Sequence, residues 1–307
     1  LRHSGTTLFQ SLSDTCAQRC HTIFNKFVNG AQVHLSGVNE VAHRHILSRG
    51  VASRSQVIYP RAMPTVMWFR RDLRIHDNPA LNAAIESARS QGDGSVAPIV
   101  MIDDALWPGW GVAKRHYLVE SLAALSHSID DALIVRHGDP INEVIAVARA
   151  ANATEVHCAA DFTTAGIERD KLVAKALEQH GITLVVTGST YAVAPGRVLK
   201  NDGTPFKVYT PFYKAWLAHG WRKPVEYVGP AQWIRTIENH GLPQVAPVEG
   251  MSVSPAGEQA ALDRWEWFRD NAVTNYKEVR DRADLDGTSK LSVHLKLSLI
   301  HISEPTR

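Results

Sequence analysis

Five short apolar runs, each followed by a helical pattern or a turn, constrain this chain more than any other feature. They are Thr65 to Phe69, Val96 to Ile102, Ala132 to Val135, Glu155 to Ala159 and Thr183 to Val186. Each is too short for a helix and too continuous for a strand with one wet face, which is the pattern of parallel strands covered on both sides. Between them, Asn78 can cap a helix with Pro79 at its first position, and Leu118, Leu122, Leu125 and Ile129 share one face of a second. Ile141, Val144, Ile145 and Ala148 mark a third helix after Pro140; Val173, Ala176 and Leu177 mark a fourth, stopped by Gly181. This alternation predicts right-handed crossovers and an α/β fold, a doubly wound, Rossmann-like, five-stranded parallel sheet with ligands at the carboxyl ends of its strands. No G-x-G-x-x-G or G-x-x-x-x-G-K-[ST] follows any run, which argues against dinucleotide and P-loop phosphate binding there.

Composition matters once the chain is divided. The whole has 307 residues, 44% hydrophobic and 21% charged, with a formal charge of +2. That excludes a disordered polyelectrolyte and a disulfide-dense module, and the charge is too small to signal nucleic-acid binding. No stretch approaches the roughly 20 apolar residues of a membrane span. Residues 1–62 carry seven basic and two acidic side chains, whereas residues 63–307 carry 26 and 29, so the basic character lies in the leader. Met63 is the first methionine, and the leader is read as upstream sequence translated in frame, the rival being an organellar transit peptide. Cys16, Cys20, His21 and His34 match no common zinc spacing and are read as incidental. With Cys158 the one cysteine in the remainder, a reducing, cytoplasmic location is expected.

The first run ends in Arg70-Arg71-Asp72-Leu73-Arg74-Ile75-His76-Asp77-Asn78-Pro79. Three arginines at a strand's carboxyl end could receive an anion, but the expected role is a salt-bridge network fixing the strand-to-helix loop. After Tyr191 a Pro- and aromatic-bearing stretch to about Pro255 reads as an ordered connector, and helical periodicity returns with Ala261, Trp265, Phe268, Ala272 and Tyr276 near one face. Tyr276 and Arg280 stand one helical turn apart, able to set a ring beside a ligand and a guanidinium on a phosphate. Thr288, Ser289 and Ser292 offer hydroxyls, and a helix opening at Gly287 would aim backbone N–H groups at an anion; taken alone, Thr288 and Ser289 read more simply as helix caps.

Trp68 to Leu81, Val193-Ala194-Pro195-Gly196, Lys207 to Trp216, and Tyr276, Arg280 and Gly287 to Leu295 together resemble the photolyase and cryptochrome family, in the family's order, over about Met63 to Lys296. The resemblance implies a photolyase α/β domain at 63–195, a connector at 196–255 and the start of a helical FAD-binding domain at 256–296. It implies FAD contacts from Tyr276, Thr288, Ser289, Lys290, Leu291 and Ser292, and a DNA contact from Arg280. Lys290 replaces the family's usual arginine and Val293 its frequent proline. The implied activity is light-driven repair of cyclobutane pyrimidine dimers in UV-damaged DNA, by electron transfer from reduced FAD. The alternatives are a cryptochrome-type blue-light photoreceptor, or an α/β module without activity. Ala165-Gly166 stand where folate-antenna members carry an Asn-Glu pair, which puts a methenyltetrahydrofolate antenna in doubt beside a deazaflavin. Residues 297–307 depart from the family and are read as an adapter-derived tail. On that reading the chain is a fragment, expected to be inactive alone, with no membrane or protein partner implied.

Overall fold

The five runs become strands β1 (Thr65–Phe69), β2 (Ser95–Asp103), β3 (Ile134–Gly138), β4 (Glu155–Ala160) and β5 (Thr183–Ser189) in the computed structural model, which describes residues 63–246, 250 and 252–300. The leader with Cys16, Cys20, His21 and His34, residues 247–249 and 251 of the connector, and residues 301–307 of the tail lie outside the described residues. All five strands are parallel, in the order β3-β2-β1-β4-β5, with Thr65 opposite Val96 on one side and Glu155 on the other. The central β1 is buried at every position. β5 departs from the expected two-sided burial, since it lies at the sheet edge and Val186 is 49% exposed. An unforeseen two-residue strand, β6 (Gln232–Trp233), comes from the connector and pairs with the start of β2.

The helices follow their caps. Asn78 accepts from Leu81 N ahead of α1 (Pro79–Gln91), Asp139 from Asn142 N ahead of α3 (Pro140–Ala150), and Thr163 from Gly166 N ahead of α4 (Thr164–Glu178). Such side chains satisfy backbone donors that the first turn leaves open. The second helix, α2 (Val112–Ser128), starts after Gly111 with no side-chain cap. Leu81, Ile85, Leu122 and Leu125 pack over one face of the sheet; Val144, Val147, Val173 and Leu177 pack over the other. The connector is tied to α1 by Asn82 and Arg89, which donate to the carbonyls of Glu226, Val228 and Pro230. It includes α5 (Tyr209–His219), none of whose residues is buried. Then come α6 (Glu258–Asn271), α7 (Tyr276–Val279) and α8 (Ser292–Lys296). The apolar face expected to run from Ala261 to Tyr276 is interrupted, because α6 stops at Asn271 and Tyr276 opens a separate turn. Among the described residues no helix is long and apolar enough to cross a membrane.

Two features of this frame predict stability effects. Gly188 has φ +67°, and a β-carbon there would lie 2.9 Å from the ring of Pro79, the rigid first residue of α1. Gly188→Ala is expected to lower stability by about 2 kcal/mol or more in urea unfolding, from the left-handed backbone plus the clash. On β4, Ser87 Oγ donates to Glu155 at 2.5 Å, and His157 Nε2 lies 2.9 Å from the same carboxylate oxygen. Burial, only partly opposed by Glu155, lowers the pKa of His157; burial and then Arg264 lower that of His294. The unfolded chain therefore binds these protons more readily than the folded one. Stability is full above the ordinary histidine value of about 6.5 and is lost as pH falls below it. The urea midpoint should drop between pH 7 and 5, and His157→Gln should flatten that slope.

Candidate functional site

The three arginines after β1 divide the labour that the sequence assigned to them jointly. Arg70 pairs with Asp170 of α4 and donates to the Ala159 carbonyl, while Arg169 bridges Asp161 and Asp170. This network occupies the crevice between β1 and β4, where the strand order reverses and an open α/β sheet commonly takes its ligand. Arg74 is 2% exposed and donates to the carbonyls of His76, Asp77 and Ser298. It ties the loop to the segment after α8, where Leu73 N also donates to the Leu297 carbonyl and Leu299 and Ile300 are buried. Arg70 thus joins the salt-bridge network expected of all three, whereas Arg74 fixes the loop through backbone carbonyls. Arg71 does neither: its buried Nε has no hydrogen-bond partner among the described residues.

Arg71 instead lines a cavity of 780 Å³ at the carboxyl ends of β1 and β2. Val100, Met101 and Ile102 of β2 form its apolar floor, and Trp110, Tyr117 and Leu118 form a wall. Arg70, Arg71, Lys114 and Lys296 bring cationic side chains to it, Ser252, Ser254 and Ser292 bring hydroxyls, and no carboxylate lines it. Lys114 Nζ sits 3.5 Å from the centre of the Trp110 ring. Burial and then the charge of Lys296 lower the Lys114 pKa. Tyr117 Oη bonds His294 Nδ1 at 2.8 Å, fastening α2 to α8 across the cavity's inner end, and burial pushes the Tyr117 hydroxyl well above its ordinary pKa. An apolar floor, an aromatic wall and surplus positive charge suit a planar ring system carrying negative charge.

Of the residues expected at a flavin, only Ser292 reaches this cavity. Tyr276 is 42% exposed with its ring edge-on to Phe268, and Arg280 is exposed one turn later beside Asp281. The helix expected to open at Gly287 begins at Ser292 instead. The cause is Arg264, which pairs with Asp286 through both amino groups and takes the carbonyls of Thr288 and Ser289, while Lys290 adopts φ +53°. Those carbonyls are therefore engaged outside a helical ladder, and Thr288 and Ser289 cap no helix. Lys290 lies 2.8 Å from Asp286, whose carboxyl Arg264 and then Lys290 hold down to about 2; Leu291 is buried. The hydroxyls of Thr288 and Ser292 make no hydrogen bond with another described residue. Sequence reasoning missed Trp110, Lys114, Tyr117 and Lys296, although the first three recur at spacings of four and three, one face of α2 and its approach. A β-carbon at Gly166 would meet the Asp161 carboxylate.

A family model described as DNA photolyase matches residues 65–231. The deoxyribodipyrimidine photo-lyase of Halobacterium salinarum is 31% identical over 252 residues, 77% of this chain and 52% of its own length. That of Streptomyces griseus is 31% identical over 248 residues, 78% of this chain and 53% of its own. A bacterial class III photolyase from Agrobacterium tumefaciens superimposes with a TM-score of 0.70 at 28% identity, covering 80% of this chain and 52% of that one. The chain spans about half the length of the curated relatives it matches.

Proposed function

This chain belongs to the DNA photolyase family, and we propose that it is the light-gathering α/β portion, with the first flavin-contacting residues, of a deoxyribodipyrimidine photolyase acting on cyclobutane pyrimidine dimers in UV-damaged DNA. The observation that carries this reading is the cavity that opens where the family's arginine loop leaves β1, walled by rings and ringed by cations. There Arg71, Lys114 and Lys296 would hold the anionic part of an antenna chromophore, with its ring plane against Trp110 and Tyr117. A deazaflavin or flavin fits this cationic, carboxylate-free lining. A folate held at the start of α4 is less favoured, because Ala165 and Gly166 offer it neither an amide nor a carboxylate.

Reduced FAD, when bound, would supply the light-excited electron that opens the dimer's ring. The residues of this chain would hold one flank of it. Thr288 and Ser292 offer hydroxyl donors to its phosphates, Lys290 a cation shared with Asp286, and Leu291 a fixed backbone position. Tyr276 offers a ring face, and the exposed Arg280 would reach a DNA phosphate. With Tyr276 open to solvent, the 307-residue chain by itself is expected to split no dimers. Replacing the aligned segment of the Halobacterium salinarum photo-lyase with Thr65–Ala231 of this chain tests the reading. The hybrid should keep light-dependent splitting of thymine dimers. A hybrid that folds and holds FAD yet leaves dimers intact would favour a photoreceptor and contradict the proposal.

A further inference from the structure

A second cleft, of 640 Å³, opens at the carboxyl end of β5, between the turn that follows the strand and the end of α5. It is separate from the cavity of Arg71 and shares no lining residue with it. Its cations are Arg197 and Arg222, its rings are Phe162, Tyr191, His219 and Trp221, and no carboxylate lines it. Arg197 is exposed and has no ion-pair partner among the described residues. Arg222 pairs through Nη1 with Asp77, which holds its guanidinium at the cleft wall; Nη2 has no hydrogen-bond partner among the described residues. His219 Nδ1 lies 2.6 Å from the Gly220 carbonyl and so donates to it, leaving Nε2 as the remaining ring nitrogen. The rings are already placed: Tyr191 meets Phe162 edge-on at 5.9 Å, and Trp221 stacks on Trp216 at 4.7 Å. A planar guest would therefore order few side chains on binding.

We propose that this cleft binds one nucleotide unit, its base against the rings of Tyr191 and Trp221 and its phosphate between Arg197 and Arg222. A ring face beside the unpaired Arg197, in a cleft whose lining holds no carboxylate, selects for a guest that is both aromatic and anionic. Nucleic-acid strands and free nucleotides share that chemistry. This inference does not rest on the photolyase reading, since it concerns binding in another cleft and is measured without light.

The test is titration of the 307-residue chain with thymidine 5′-monophosphate, read by tryptophan fluorescence, against thymidine and inorganic phosphate. Saturable binding of the nucleotide is expected, with thymidine and phosphate each at least about tenfold weaker, because each lacks half of the recognition. Arg197→Glu should weaken nucleotide binding about tenfold or more, as should Tyr191→Ala, whereas the same charge reversal at Arg269, outside the cleft, should change it less than about twofold. Arg197 is exposed on a loop without a side-chain partner, so its replacement leaves the fold intact. Tighter binding of a tetrathymidylate than of the monophosphate identifies a strand as the source; equal or weaker binding identifies a free nucleotide. Absence of saturable nucleotide binding, equal binding of inorganic phosphate, or an Arg197→Glu variant that binds as well as the parent would overturn the proposal.

Discussion

Replacing Arg71 with glutamate is expected to lower the affinity of the 780 Å³ cavity for flavin mononucleotide by about a hundredfold. Flavin mononucleotide serves as the probe because it combines a fused planar ring with a phosphate. Two unit charges about 4 Å apart near a protein surface interact by about 4 kcal/mol, and an open mouth reduces that through solvent. Losing even half of the attraction and adding repulsion exceeds the roughly 2.7 kcal/mol of a hundredfold change. Arg71 makes no compensating internal bond through Nε, so the fold should tolerate the change, and the melting temperature of the variant checks that. Lys114→Ala and Lys296→Ala should each cost less, about tenfold, because both ammonium groups are exposed and only one charge is removed. Quenching of the flavin's fluorescence on titration measures all three. Methenyltetrahydrofolate should bind more weakly than the flavin, since Ala165 and Gly166 offer it neither an amide nor a carboxylate.

Trp68→Ala should produce the largest loss of stability, about 3–5 kcal/mol by urea unfolding. Trp68 is 2% exposed on the central strand, with the guanidinium of Arg70 4.8 Å and that of Arg169 5.3 Å from its ring centre. Removing the indole leaves a void beside Val144 and Val173 and strips the near-buried Arg70 and the half-buried Arg169 of the ring they rest on. For a unit of this size each kcal/mol moves the melting temperature by about 2–4 °C, so a fall near 10 °C is expected. A loss under about 1 kcal/mol would mean that the space refills and that the Arg70 and Arg169 network does not depend on the ring.

The sheet was legible because its signal is local. Four of the five runs stay buried where a continuous apolar stretch predicts it, and the Asn78 cap and Pro140 at N1 mark true helix starts. β5 misled because apolar content does not distinguish a central strand from one at the sheet edge. The helix expected at Gly287 misled because the sequence does not announce that Arg264, more than twenty residues earlier, will claim the carbonyls of Thr288 and Ser289. The cavity was legible only in part. Arg71 stood in a motif, but its surroundings come from β2, α2, the connector and α8, segments joined by tertiary packing alone. Nor could spacing tell that Arg70 and Arg74 would be consumed internally and Arg71 left over.

The central claim is that this α/β unit carries a chromophore where Arg71 lines the carboxyl ends of β1 and β2. The direct measurement is an experimental structure of the 307-residue chain with flavin mononucleotide bound. The expected result is one ring system within the cavity of Trp110, Lys114 and Tyr117, its phosphate within hydrogen-bond distance of Arg71 or Lys296. A flavin bound elsewhere, with that cavity holding only water, would contradict the account.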